Sequence, residues 1–176
     1  PVDSLFAWHK KQVRIVDTAG MRKAGRVASG GALESLSVML ARRAIADADV
    51  VVIVIDVAAG VTDQDAAIAG EADSAGRVVV LALNKWDLIE ARTQEAAEAI
   101  DSEVRRRLPF LDYAPIVHIS ALSGERTPKL LEVVDRVATE RRKRVPTPGL
   151  NRFIARITAA QPPVSDARRA VRILFA

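Results

Sequence analysis

Two stretches, VVVIVI at residues 50–55 and VVVLAL at residues 78–83, constrain the fold of this chain more than any other feature. Each is a continuous β-branched or aliphatic run with no polar residue to turn toward water. A strand built from such a run must be covered on both faces, which is the environment of a parallel strand packed between helices. Pro115–Ile119 is a third run of this kind, with proline first, where no ladder hydrogen bond is lost. Leu5–Trp8 and Gln12–Val16, linked by His9, Lys10 and Lys11, read as an antiparallel hairpin.

The segments between the runs have helical character. Leu33–Ala46 sets Leu33, Leu36 and Leu40 on one side, and Thr62–Ser74 is alanine-rich, with Thr62 or Asp63 available as N-cap. Thr93–Leu108 carries its acids early and Arg105, Arg106 and Arg107 late, as the helix dipole favours, and Pro109 stops it. Those three arginines are therefore read as structural. Thr127 is expected to cap a last helix, with Pro128 at its first position and Leu130, Leu131, Val134, Val137 and Ala138 as the apolar stripe. Strands alternating with helices predict a doubly wound α/β domain to about residue 144.

With 49% apolar but only 4% aromatic residues, the core must be aliphatic. The absence of cysteine excludes a disulfide scaffold and a Cys-ligated metal, and suits a cytoplasmic location. No apolar run approaches the roughly 20 residues that span a bilayer, so no membrane partner is expected. A chain opening on Pro1 rather than Met is expected to be a piece of a longer protein. Residues 1–145 hold 21 basic and 21 acidic residues, whereas 146–176 hold five arginines against Asp166. With Arg141, Arg142, Lys143 and Arg144 added to the second segment, the balance becomes +8 against −4. Such asymmetry points to a polyanion-facing element, the alternative being a solvated helix end and basic linker.

In a doubly wound sheet, ligands bind outside the carboxyl ends of the strands. Those ends are Asp17-Thr18-Ala19-Gly20, Asp56, Asn84-Lys85-Trp86-Asp87 and Ser120-Ala121-Leu122. A carboxylate at Asp87 can accept two adjacent coplanar hydrogen bonds; guanine offers that pair in its N1–H and exocyclic amine, and adenine does not. Asn84 could bond the other edge of the base or pin neighbouring loops. The Lys85 stem can lie across the base with its ammonium left hydrated. Small Ala121 would let its backbone N–H approach the guanine carbonyl. At the other end of a nucleotide, Asp17 can hold Mg²⁺ through water, and Gly20 admits a backbone N–H to a terminal phosphate.

Asp-x-x-Gly, Asn-Lys-x-Asp and Ser-Ala-Leu, in this order and each after a strand, resemble the third, fourth and fifth motifs of translation-factor-type GTPases. More narrowly, DTAGMRKAGRV, ALESLSVMLARRAIADADVVVIVIDVAAGVTDQD and LNKWDLIE resemble the second GTPase domain of the tandem bacterial GTPase family called Der or EngA. The tail, VPTPGLNRFIARITAAQPPVSDARRAVRILFA, resembles that family's linker and the first helix and strand of its α+β KH-like domain. The resemblance implies a P-loop-NTPase-like GTPase domain over 1–145, truncated at its amino terminus, followed by the start of a KH-like RNA-binding domain over 146–176. It further implies GTP or GDP as ligand and a role in large ribosomal subunit assembly. Arg141, Arg142, Lys143 and Arg144 are the candidate contacts to ribosomal RNA.

Two departures qualify it. Nothing matches Gly-x-x-x-x-Gly-Lys-Ser/Thr, the loop that cradles phosphates, so this chain by itself is expected to have little GTPase activity. The alternative is a ribosomal RNA-binding fragment without nucleotide turnover. Met21 follows Gly20 where many small GTPases carry a water-positioning glutamine, which resembles the group assisted by a bound potassium ion. Asp63-Gln64-Asp65, His9 and His118 are read as structural, Trp86 as packing against its own loop, and Asp56 as capping nearby loops.

Overall fold

The apolar runs pair as parallel strands. The computed structural model describes residues 2–17, 39 and 41–161. Along the chain these form β1 (Val2–Trp8), β2 (Lys11–Asp17), α1 (41–47), β3 (Val50–Asp56), α2 (Asp63–Ser74), β4 (Val78–Asn84), α3 (Gln94–Arg107), β5 (Ile116–His118), α4 (Thr127–Arg141) and α5 (Thr147–Ala160). Short 3-10 turns follow β4 at Trp86–Leu88 and α3 at Pro109–Leu111. The chain divides into two compact units, Pro1–Ala138 and Thr139–Ala176.

In the first unit, β3, β4 and β5 form a parallel sheet in that order. Strand periodicity sorts the side chains of β4 onto its two faces. Val79, Leu81 and Leu83 join Ile53, Ile55, Ala69, Ala72 and Val104 in one cluster, under α2 and α3. Val80 and Ala82 join Val117, Ile119 and Val133 in the other, under α4. The sheet is thus covered on both faces, as the unbroken apolar runs require. The alanines of α2 have a packing reason: Ala69 and Ala72 are fully buried, and their small side chains bring the helix close to the sheet.

The β1–β2 hairpin forms a separate two-stranded sheet, with Trp8 opposite Lys11. Its turn is two residues long rather than the three expected, because His9 (φ 45°) and Lys10 (φ 63°) both adopt the left-handed conformation that matches hairpin twist. The Lys11 ammonium lies 2.5 Å from Asp135 of α4.

Thr62 is the N-cap of α2, accepting from the Asp65 amide while the Asp65 carboxylate accepts from the Thr62 amide. Asp65 is thereby given a structural role. Thr93 caps α3 through the Ala96 amide. All three arginines at the end of α3 are internally engaged: Arg105 with the Leu111 and Ala114 carbonyls, Arg106 with Glu103, and Arg107 with the Val61 carbonyl and Asp63. Thr127 departs from expectation. It is already helical, and its hydroxyl donates to the Gly124 carbonyl at 2.9 Å, because Arg126 before it is held at φ 57°. Of the expected helix 33–46, residues 33–38 and 40 lie outside the described residues.

In the second unit, α5 contains no buried residue, and Phe153 and Ile157 are exposed. The strand expected after it falls within 162–176, outside the described residues. Among the described residues no helix is long and apolar enough to cross a membrane.

Tyr113 ties the connection after α3 to α2 by donating to Asp73 at 2.8 Å. Desolvation, reinforced by that bond and the Asp73 charge, pushes its phenol up to about 12. Since the fold favours the neutral phenol, this contribution is complete below the ordinary value near pH ~10 and is lost as pH rises through the folded value. Tyr113 is the only tyrosine of the chain, so phenolate absorbance reports it alone. The midpoint should lie near 12 and fall part of the way toward the ordinary value in Asp73→Ala, which removes the hydrogen bond and the charge but not the desolvation.

Candidate functional site

Parallel register sets the carboxyl ends of β3 and β4 side by side, with Asp56 opposite Asn84. The Asp56 carboxylate accepts from the Ala58 amide at 2.9 Å and lies 2.5 Å from the Lys85 ammonium. The Lys85 hydrogen bond first, then the Ala58 amide, hold this carboxyl below its ordinary value. The Lys85 head is therefore ion-paired as well as exposed to water, its side chain being 51% exposed. The cause is the aligned strand ends, together with a left-handed Lys85 backbone (φ 65°, ψ 33°). Asp56 also turns the chain after β3, its carbonyl accepting from Ala59 and Gly60.

Asn84 pins a neighbouring loop. Its side-chain oxygen accepts from the Ala121 amide at 2.9 Å. The amide expected to approach a guanine carbonyl is thus engaged within the protein. Ser120 is fully buried, its hydroxyl accepting from the Ser123 amide and its own amide donating to the Glu125 carbonyl. Gly124, at φ 76°, makes the reversal that brings Glu125 back to Ser120. Leu122 is 89% exposed and projects from the loop.

Beneath these loops sits Trp86, 2% exposed, its amide donating to the Ile119 carbonyl and its ring centroid 4.0 Å from that of His118. His118 in turn pairs through Nε2 with Asp101 of α3 at 2.8 Å. Trp86 and His118 are therefore structural, as the sequence suggests, although their contact with one another carries no sequence signal.

Above this platform, the Asp87 Oδ1 atom is buried and has no hydrogen-bond partner. A buried acceptor left unpaired costs about 1–3 kcal/mol, and more when charged, so such an atom at a strand-end loop is suited to a ligand's donor. Asn84, Lys85, Asp87, Ser120 and Ala121 are brought together at one sheet edge. Asp17 ends β2 in the other sheet, and Thr18, Ala19 and Gly20 lie outside the described residues. Arg141, Arg142, Lys143 and Arg144 are exposed at the end of α4 and just past it, with Lys143 on Glu140 at 2.5 Å and Arg141 and Arg142 also held by intramolecular interactions.

The elongation factor Tu GTP-binding domain family matches residues 38–140, which include β3, β4 and both loops of the candidate site. The chain belongs to this family. As a GTP-binding domain, it is similar over 99% of its length to the GTPase Der of Heliobacterium modesticaldum, at 44% identity, and to that of Desulforamulus reducens, at 41%. The GTPase Der of Chloroflexus aggregans is 38% identical across the whole chain. The chain spans 39% of the length of each of these curated relatives. The crystal structure of a probable GTP-binding protein engB shares the fold, with a TM-score of 0.54 and 16% identity over 79% of this chain and 84% of that one.

Sequence reasoning missed Arg92 and Glu125. Arg92 lies in an unpatterned connection one residue before the Thr93 cap, and Glu125 is 33 residues away, so no local spacing links them. The Trp86 platform is directly testable. Trp86→Ala should cost about 3–5 kcal/mol in urea unfolding, as for a large buried aromatic. Trp86→Phe should cost clearly less.

Proposed function

We propose that this chain forms the base-reading part of a guanine-nucleotide site in a GTP-hydrolysing protein. The observation that carries the reading is the buried, unpartnered Asp87 Oδ1 beside an Asn84–Ala121 hydrogen bond that joins the two loops. Guanine presents N1–H and an exocyclic amine to such a carboxylate, whereas adenine would leave it unsatisfied. Lys85, held toward Asp56, would lay its stem along the base.

Hydrolysis belongs to the longer protein, in which a phosphate-cradling loop would complete the site. Among the described residues no cluster of His, Cys, Asp or Glu could hold a metal. Mg²⁺ would bind with the phosphates, whose charge it offsets, and Asp17 would hold it through water. Thr18, Ala19 and Gly20 would follow the terminal phosphate, and Met21 would leave water positioning to backbone groups and a potassium ion. Leu122 contributes through its backbone position in the loop. The similarity to GTPase Der supports a role in large ribosomal subunit assembly, in the cytoplasm, with the KH-like start at 146–176 and Arg141–Arg144 facing ribosomal RNA.

In the full-length protein, Asp87→Asn should weaken GDP binding at least about 100-fold and favour xanthine nucleotides, because the amide donates where the carboxylate accepts. Competition of GDP, XDP and ADP against a fluorescent nucleotide measures this, and equal wild-type affinity for GDP and ADP would sink the guanine assignment. Neutralising Arg141, Arg142, Lys143 and Arg144 together should weaken ribosomal RNA binding and flatten its log–log salt dependence by up to about 3, at roughly 0.7 for each cation that pairs with a phosphate. An unchanged slope in filter binding would remove these residues from the RNA interface.

A further inference from the structure

The Arg92 guanidinium reaches both base-reading loops at once. Its Nη2 donates to the Asp87 carbonyl at 3.2 Å, its Nε to the Ile89 carbonyl at 3.4 Å, and its Nη1 to the Glu125 carboxylate at 3.0 Å. Glu125 then accepts the Ser120 amide on its own carbonyl at 3.1 Å. The path Asp87–Arg92–Glu125–Ser120 therefore links the two loops once, and the Asn84–Ala121 bond links them a second time.

The Arg92 tie borders an open polar depression rather than packed core. Trp86, Arg92, Gln94, Asp101, His118 and Arg126 line this depression of ≈ 180 Å³ between the loop and α3. Apolar packing anchors this loop at Trp86, and polar contacts hold the side that faces the depression. A planar guanidinium with several donors in fixed directions suits that task, whereas a lysine ammonium offers only a point charge. Thr93 anchors Arg92 by capping α3 at the next residue. The Glu125 carboxylate has a second, longer neighbour in Arg126 Nε at 3.9 Å, so its charge remains compensated while it serves Arg92.

We infer that Arg92 and Glu125 form a positioning brace that sets the Asp87 carboxylate against the Ser120-Ala121 loop and so tunes discrimination between guanine and bases lacking its exocyclic amine. Neither residue touches the base. The inference rests on the guanine reading of Asp87. It predicts an effect on selectivity, because a displaced carboxylate loses its second hydrogen bond before its first.

The test compares GDP with IDP, which retains N1–H but lacks the amine, by competition and nucleotide dissociation rate in the full-length protein. Any other guanine site there contributes the same background to every variant. Arg92→Ala should lower the GDP-to-IDP affinity ratio at least about threefold and speed GDP release by roughly 5- to 30-fold. Arg92→Lys should recover part of both, since it can keep the Glu125 pair but not the fork. Glu125→Gln should fall between wild type and Arg92→Ala, and carries the test if Arg92→Ala does not fold. The Arg92→Ala, Glu125→Ala double variant should be no worse than the more severe single one.

A uniform loss of GDP and IDP with the ratio unchanged would overturn the brace, as would fully additive losses. Asp87→Asn, measured alongside, separates the two levels of the proposal. If it leaves the ratio unchanged, the guanine reading fails; if it collapses the ratio while Arg92→Ala does not, the brace alone fails.

Discussion

Burial of β4 on both faces governs the rest of this molecule. A strand with no outward-facing polar residue cannot sit at a wet surface, so helices must close over each side, and the neighbouring strands must run parallel to admit the crossover helices. Parallel pairing then sets the strand ends level. Because β3 and β4 pair residue for residue through Asp56 and Asn84, the first polar residues of both strands emerge at one edge of the sheet. The candidate site is a consequence of where the apolar runs stop.

The packing of this edge differs from that of the sheet below it. The sheet is held by dense aliphatic contact, in which Val79, Val80, Ala82 and Leu83 are completely buried. The loops above are held by directional polar contacts: Lys85 to Asp56, Ala121 to Asn84, Ser123 to Ser120, and Arg92 to three acceptors. Such contacts fix orientation more sharply than apolar packing does, and each exposed ion pair adds little to stability. Strain accompanies them, since Lys85 and Arg126 both hold left-handed backbones that side chains ordinarily avoid. Trp86 is the joint between the two regimes, an aromatic plate buried in the sheet's end and bonded through its amide to Ile119.

Membership of the elongation factor Tu GTP-binding domain family gives this arrangement its context, and similarity to GTPase Der extends over the whole chain. Within that setting the loops divide their work. Asn84 uses its side-chain oxygen to join them, Lys85 is drawn to Asp56, and Asp87 retains a buried oxygen that no protein group satisfies. Of these three polar residues, Asp87 is the one with a buried acceptor left unpaired for a ligand's donor.

The sequence by itself determined the parallel strands, the helices between them, a cap at Thr62 or Asp63 and the polar strand ends, because each depends on residues within one turn or one strand of each other. It also identified the three-motif order that marks the family. It did not give the partners: the Asp56 carboxylate on the Lys85 head, the Asn84 oxygen on the Ala121 amide, and Thr127 as a donor to Gly124 rather than an accepting cap. Those outcomes depend on which polar groups the strand register and the reversal at Gly124 bring face to face, which no local pattern states. Only the tertiary structure joined Trp86 to His118 and Asp101, and Arg92 to Asp87 and Glu125. The physical reason is distance along the chain. Hydrophobic periodicity reports which face a residue occupies, but not which polar group, 17 or 33 residues away, will meet it there.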